Sequence, residues 1–214
     1  MRQGAAPLHR KGRTTPWTGF YHEGSRALQD EFGTRALADR NVQLRVRDRF
    51  NEDDAAYIAR RVFFFLATAD AEGRPDCNYR GGEPGFVRVV APDLLVFPDY
   101  DGNGMFRSLG NIRVNPHVSL LFIAMDAPEE RLKRLRVNGV AELSTDDPLL
   151  AEFPGGQLLV RFRPTRIFPN CPRYIPKMRI EEASPYNPRV DYDPPMPEWK
   201  ARDDVRDVLP PRRT

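Results

Sequence analysis

Side chains that ligate metals or act as nucleophiles are scarce: two cysteines and three histidines in 214 residues. Cys77 and Cys171 have no CxxC or Cys/His companions at metal-ligand spacing, so neither a metal site nor a disulfide framework is expected. Both thiols are expected to be inert and at least half-buried. His9, His22 and His117 stand apart from any local nucleophile signature, which leaves no Ser-His-Asp or Cys-His reading. Long apolar runs are missing too. The longest strongly apolar stretch, residues 62–69, has the length of a strand, which excludes a helical membrane span. No apolar run preceded by basic residues opens the chain, and with no disulfide framework a cytoplasmic location is expected. Lysine is rare, with 4 among 33 basic residues; the other 29 are arginines, which bind anions bidentately. One basic run, residues 131–136, is diluted by Glu129, Glu130 and Glu142 and carries no interleaved stacking aromatic, so no nucleic-acid partner is expected.

What is present is a series of short β patterns. Residues 1–20 lack apolar periodicity and are expected to form a loose arm. From Ser25, a candidate helix cap, Ala27, Leu28, Phe32, Ala36 and Leu37 recur at helical spacing, and Asn51 followed by Glu52, Asp53 and Asp54 signals a second short helix. Residues 62–68 and 75–80 then read as a hairpin about the turn 70–73, and residues 86–90 and 94–97 as another. Further strands are expected over 118–125, 131–143 with a bend at Gly139, and 157–168, and a short helix over 146–152. Residues 178–214 are rich in proline and charge and are expected to wrap the surface. Strands in hairpin order with few intervening helices indicate a mainly β, antiparallel barrel, because closure removes edges that would otherwise be exposed. The expected organisation is an arm (1–20), a barrel domain with N-terminal helices (21–177) and a tail (178–214).

The segment most like a site is 97–116, FPDYDGNGMFRSLGNIRVNP. A strand end leads into a loop holding Gly102, Asn103 and Gly104, and a short helix follows. Glycines let backbone N–H groups turn inward, and the start of a helix leaves donors unpaired, so this stretch can hold an anion, with Arg107 and Ser108 in the first turn to complete the site. The same residues also suit an ordinary turn, with Asn103 as the helix cap and Asn115-Pro116 as its end.

Three segments, GEPGFVRVV (82–90), FPDYDGNGMFRSLGNIRVNPHVSLLFI (97–123) and FPNCPRYIPK (168–177), resemble the FMN-binding split-barrel superfamily, and within it the flavin-nucleotide-binding branch related to pyridoxamine 5'-phosphate oxidase. YHEGSRALQDEFGTR near the N-terminus is similar to the same branch. The resemblance implies a homodimer of six-stranded antiparallel split β-barrels with a few peripheral helices, holding FMN at the subunit interface. It places Arg88, Arg107 and Ser108 at the flavin phosphate, with Asn103 in the adjoining loop, and Cys77, Asn78, Tyr79 and Arg80 along the flavin ring. Oxidase-type members carry a lysine where this chain has Ser108, which weakens the transfer of pyridoxamine phosphate oxidation itself. Arg173, in a segment made rigid by Pro169 and Pro172, would border the opening to a small-molecule substrate. The implied activity is an FMN-dependent oxidoreduction with an electron donor. A flavin-binding or electron-transfer module without turnover and a deazaflavin-dependent reductase on the same barrel are the alternatives.

Overall fold

The computed structural model describes residues 19–126 and 134–210. Most of the expected N-terminal arm and the first half of the basic run 131–136 lie outside these residues. Two compact units divide between Val46 and Arg47.

The first unit holds helices α1 (Glu23–Glu31) and α2 (Arg35–Arg45). The single periodic helix expected across this stretch is split at Gly33, whose φ of +64° takes the chain out of α1. His22, not Ser25, caps α1, its ring nitrogen accepting from the Ser25 N–H. Arg26 joins the two helices through a 2.7 Å ion pair with Asp39.

In the second unit α3 (Glu52–Ala59) begins at Asn51 in a capping box. The Asn51 side chain accepts from the Asp54 N–H, and Asp54 accepts from the Asn51 N–H. Seven strands follow: β1 (Phe63–Ala69), β2 (Pro75–Gly81), β3 (Arg88–Ala91), β4 (Leu94–Tyr100), β5 (His117–Ile123), β6 (Arg134–Ser144) and β7 (Gly156–Pro169). Helix α4 (Arg107–Val114) stands between β4 and β5, and a 3-10 turn (Pro148–Glu152) between β6 and β7. All pair antiparallel in one sheet of order β2-β1-β5-β6-β7-β4-β3. The sheet has the seven strands that the residue patterns indicate, one more than the six that the resemblance implies. The four-residue β3, with a register shift between Val89 and Ala91, lies at an edge.

The sheet curls until its ends face each other. Phe64 of β1 packs edge-on to Phe97 of β4 at 5.0 Å, and Arg80 of β2 pairs with Asp99 of β4, although β2 and β4 lie far apart in strand order. The strands β2 and β3 remain the two edges, which makes this a split barrel. Alternation does the rest. Phe64 and Leu66, Leu120 and Phe122, Leu135 and Val137, and Val160 and Phe162 fill the interior. β4 is buried on both faces because Phe153, Leu149 and Leu150 at the 3-10 turn cover Val96 and Leu159 from outside.

Gly139 of β6 sits where the β6–β7 register shifts, and a Cβ there would lie 2.1 Å from the Arg163 carbonyl oxygen. The bend expected at this residue is a bulge that only glycine permits. Residues 178–210 form a strap with two short 3-10 turns, anchored by the Asn187 amide on Glu83 and by Lys200 on Asp101.

Candidate functional site

Period two along β2 decides which side chains meet. Asp76, Asn78 and Arg80 share a face with Thr68, Leu66 and Phe64, their β1 partners in register, and look into the barrel; Cys77 and Tyr79 point outward. Thus the four residues expected along a flavin ring are split between two faces.

On the inner face, at the end of the barrel covered by α4, three residues converge with a fourth that the sequence reading missed. Ser108, only 1% exposed, donates its hydroxyl proton to Asp76 Oδ2 at 2.7 Å and accepts from the Asn78 side-chain amide at 3.2 Å. Arg107 Nε lies 3.9 Å from Asp76 Oδ1, and the arginine side chain is 64% exposed. Helix α4 is anchored here by the Asn111 amide on Thr68 Oγ1 at 3.0 Å. The entry to α4 is strained. Its N-cap is Phe106, a non-glycine residue at φ +48° and ψ 28°, and no side chain caps the helix. A left-handed conformation at such a residue costs about 1–2 kcal/mol. Asn103, the residue expected to cap, instead accepts from the Met105 N–H at 3.0 Å.

The remaining predicted residues are engaged elsewhere. Arg80 pairs with Asp99, which also accepts from Gln157 at 2.7 Å, so its guanidinium closes the barrel. Arg88 donates to the Gly85 carbonyl at 2.8 Å and to the Glu152 carboxylate at 2.8 Å and stacks over Phe153. Tyr79 lies outside the barrel, 58% exposed, stacked on Phe63 at 5.6 Å and edge-on to Phe65. Partial burial raises the pKa of its phenol, so it stays protonated near neutral pH. Burial likewise pushes Tyr100 up to about 12 against the lowering effect of Arg88. Asn103 lines a cleft of about 450 Å³ with Asp101, Tyr186, Trp199 and Lys200, formed between the loop and the strap. Arg173 lies in an irregular segment after β7, its backbone N–H on Cys171 Sγ and its guanidinium 6.0 Å from the Tyr174 ring.

Both cysteines are exposed, which corrects the expectation of at least half-buried thiols. Cys77 projects from the outer face of an edge strand, and Cys171 falls just beyond the last residue of β7. Among the described residues no group of three or more His, Cys, Asp or Glu side chains is placed to hold a metal ion, and no helix is long and apolar enough to cross a membrane.

A split antiparallel barrel with a loop and helix start across one end defines a fold class. Within that class, the family model for pyridoxamine 5'-phosphate oxidase matches residues 50–171, more than half of the chain, and the chain belongs to that family. No curated protein matches it in sequence. Among solved structures it is similar to a candidate pyridoxamine 5'-phosphate oxidase of Lactobacillus delbrueckii, with 22% identity over 58% of this chain and 99% of that one and a TM-score of 0.45. It is also similar to HutZ, the heme storage protein of Vibrio cholerae, with 22% identity over 53% of this chain and 90% of that one and a TM-score of 0.38. A third similar structure is an FMN-binding protein of Syntrophomonas wolfei, with 13% identity over 67% of this chain and 97% of that one and a TM-score of 0.37.

Proposed function

We propose that this chain binds FMN, with the phosphate at the start of α4, and that it uses the flavin for an oxidoreduction of a small molecule. The observation that carries the reading is the uncapped helix start, where the Arg107 guanidinium, the Ser108 hydroxyl and the Asn78 amide gather on one spot. Backbone N–H groups, a hydroxyl and a guanidinium can hold a phosphate without a metal. The donor set fits in number and kind, and Asp76 is set against it. The strain at Phe106 supports the same reading, since a costly backbone conformation at a helix entry is characteristic of ligand-holding turns. FMN, when bound, supplies the electron and hydride chemistry, and the chain's own residues bind it, orient it and exclude water.

The outer sheet face supports a two-fold dimer. Phe63, Phe65, Leu121 and Ile123 are half-buried there in adjacent strands, beside Tyr79. A homodimer covering this face buries more than about 2,000 Å² in total. Light scattering of the FMN-loaded protein at micromolar concentration checks this, and a monomer contradicts it.

A second reading, a flavin-binding or electron-transfer module without turnover, is favoured by one feature. The groups on the outer face of β2 able to move a proton are the Cys77 thiol and a phenol whose pKa burial raises. Stopped-flow mixing with NADH or NADPH separates the two: rapid reduction of the flavin supports the enzyme, and none supports the module. The flavin reading itself is tested by the absorption spectrum and mass of whatever copurifies. A flavin spectrum with the mass of FMN supports it. A deazaflavin or a haem Soret band, or a colourless protein that refuses added FMN, overturns it.

A further inference from the structure

We infer that Asp76 is an internal competitor for the phosphate, and thereby the residue that sets how tightly this site holds a phosphorylated flavin; the inference rests on the flavin reading above. A serine hydroxyl has one proton to give. In Ser108 that proton goes to Asp76 Oδ2 at 2.7 Å, while a lone pair of the same oxygen takes the Asn78 amide at 3.2 Å. The other oxygen of the same carboxylate lies 3.9 Å from Arg107 Nε. One carboxylate therefore engages two of the three side-chain donors that a phosphate would use, the hydroxyl and the guanidinium. A phosphate monoester carrying close to two negative charges cannot share them with an ionised Asp76; it has to displace it.

Displacement is geometrically open. The backbone of Asp76 is fixed by pairing with Thr68, but its side chain is 22% exposed, so rotation about its own bonds carries the carboxylate toward water. Ligand binding is then an exchange: Asp76 leaves, Ser108 turns its proton to the phosphate, and Arg107 changes partner. The consequence is a flavin held more loosely than the same donors would hold it without the acid, with the penalty confined to the phosphate.

Asp76→Asn tests this, because the amide oxygen still accepts from Ser108 while the charge is gone. Flavin fluorescence titrations of the full chain, wild type and variant, use FMN and riboflavin, and thermal unfolding with added inorganic phosphate forms a third arm. The expected result is FMN tightened by about tenfold or more, as relief of a like-charge contact implies, with riboflavin changed by less than about twofold. Inorganic phosphate should also stabilise the variant more than the wild type. FMN affinity that is unchanged or lower, or an equal shift for both flavins, overturns the inference. If neither flavin binds either protein, the phosphate arm decides. Stronger stabilisation of the variant upholds Asp76 as the competitor and removes the flavin reading, and no difference removes both. Asp76→Ala serves in the same three arms should the asparagine variant fail to fold.

Discussion

Replacing Arg80 with alanine separates scaffold from site, because the chain's resemblance places this residue at the flavin and its geometry places it at the barrel closure. Arg80 and Asp99 are 16% and 7% exposed and join β2 to β4, strands that share no hydrogen-bonded edge. Removing one partner of a buried ion pair costs about 3–5 kcal/mol, since the other charge is left without compensation. Two features reduce that figure here. Gln157 still donates to Asp99 at 2.7 Å, which retains about 1 kcal/mol. The Arg80 Nε is buried without a partner, so its removal relieves about 1 kcal/mol of desolvation. The expected loss is therefore about 1–3 kcal/mol. Urea unfolding should show it as a lower midpoint at unchanged slope. The ratio of FMN to riboflavin affinity should be unchanged. A loss below about 0.5 kcal/mol, the range of ordinary surface substitutions, together with a selective loss of FMN binding would refute the argument and return Arg80 to the ligand.

Two further predictions concern the scaffold. Gly139→Ala drives a methyl to 2.1 Å from the Arg163 carbonyl oxygen, which is backbone and cannot turn aside, so thermal unfolding should register a loss of about 2–3 kcal/mol. Asp147 is held below the usual carboxylate range chiefly by its bond from Arg161, against a desolvation that raises it, with the Leu149 N–H helping to lower it. A lowered folded-state pKa stabilises above the unfolded value of about 3.9 and is lost as pH falls through the folded value. Asp147→Asn should accordingly cost about 1–2 kcal/mol at pH 7 and converge on the wild type in acid, as urea midpoints across pH will show.

Much of this architecture was legible in the chain. The alternation of Leu135, Val137, Gly139 and Ala141 gave a buried face to β6, and an isolated glycine in a strand pattern marked the bulge. Asn51 with Asp54 three residues later marked the start of α3. Local signals failed where distant partners decide. The resemblance puts Arg88 at a flavin phosphate and Arg80 along the flavin ring, and only the curl of the sheet and the 3-10 turn bring Asp99 and Glu152 to them. The split of β2 into two faces was readable from its period of two, and applying it would have set Cys77 and Tyr79 apart from Asn78 and Arg80. The same count places Asp76 on the face of Asn78. Its closeness to Ser108, 32 residues away, follows from how α4 docks and has no local signature.

The central claim is that a flavin phosphate sits at the start of α4. Arg107→Ala tests it most directly, because the side chain is 64% exposed, lies no nearer than 3.9 Å to the Asp76 carboxylate, and contributes little to the fold. Loss of one charge-assisted hydrogen bond costs about 1.5–3 kcal/mol, or roughly 10- to 150-fold in Kd. Paired titrations should show FMN weakened by that factor and riboflavin left as it was. An equal loss for both ligands, or none for either, would place the phosphate elsewhere.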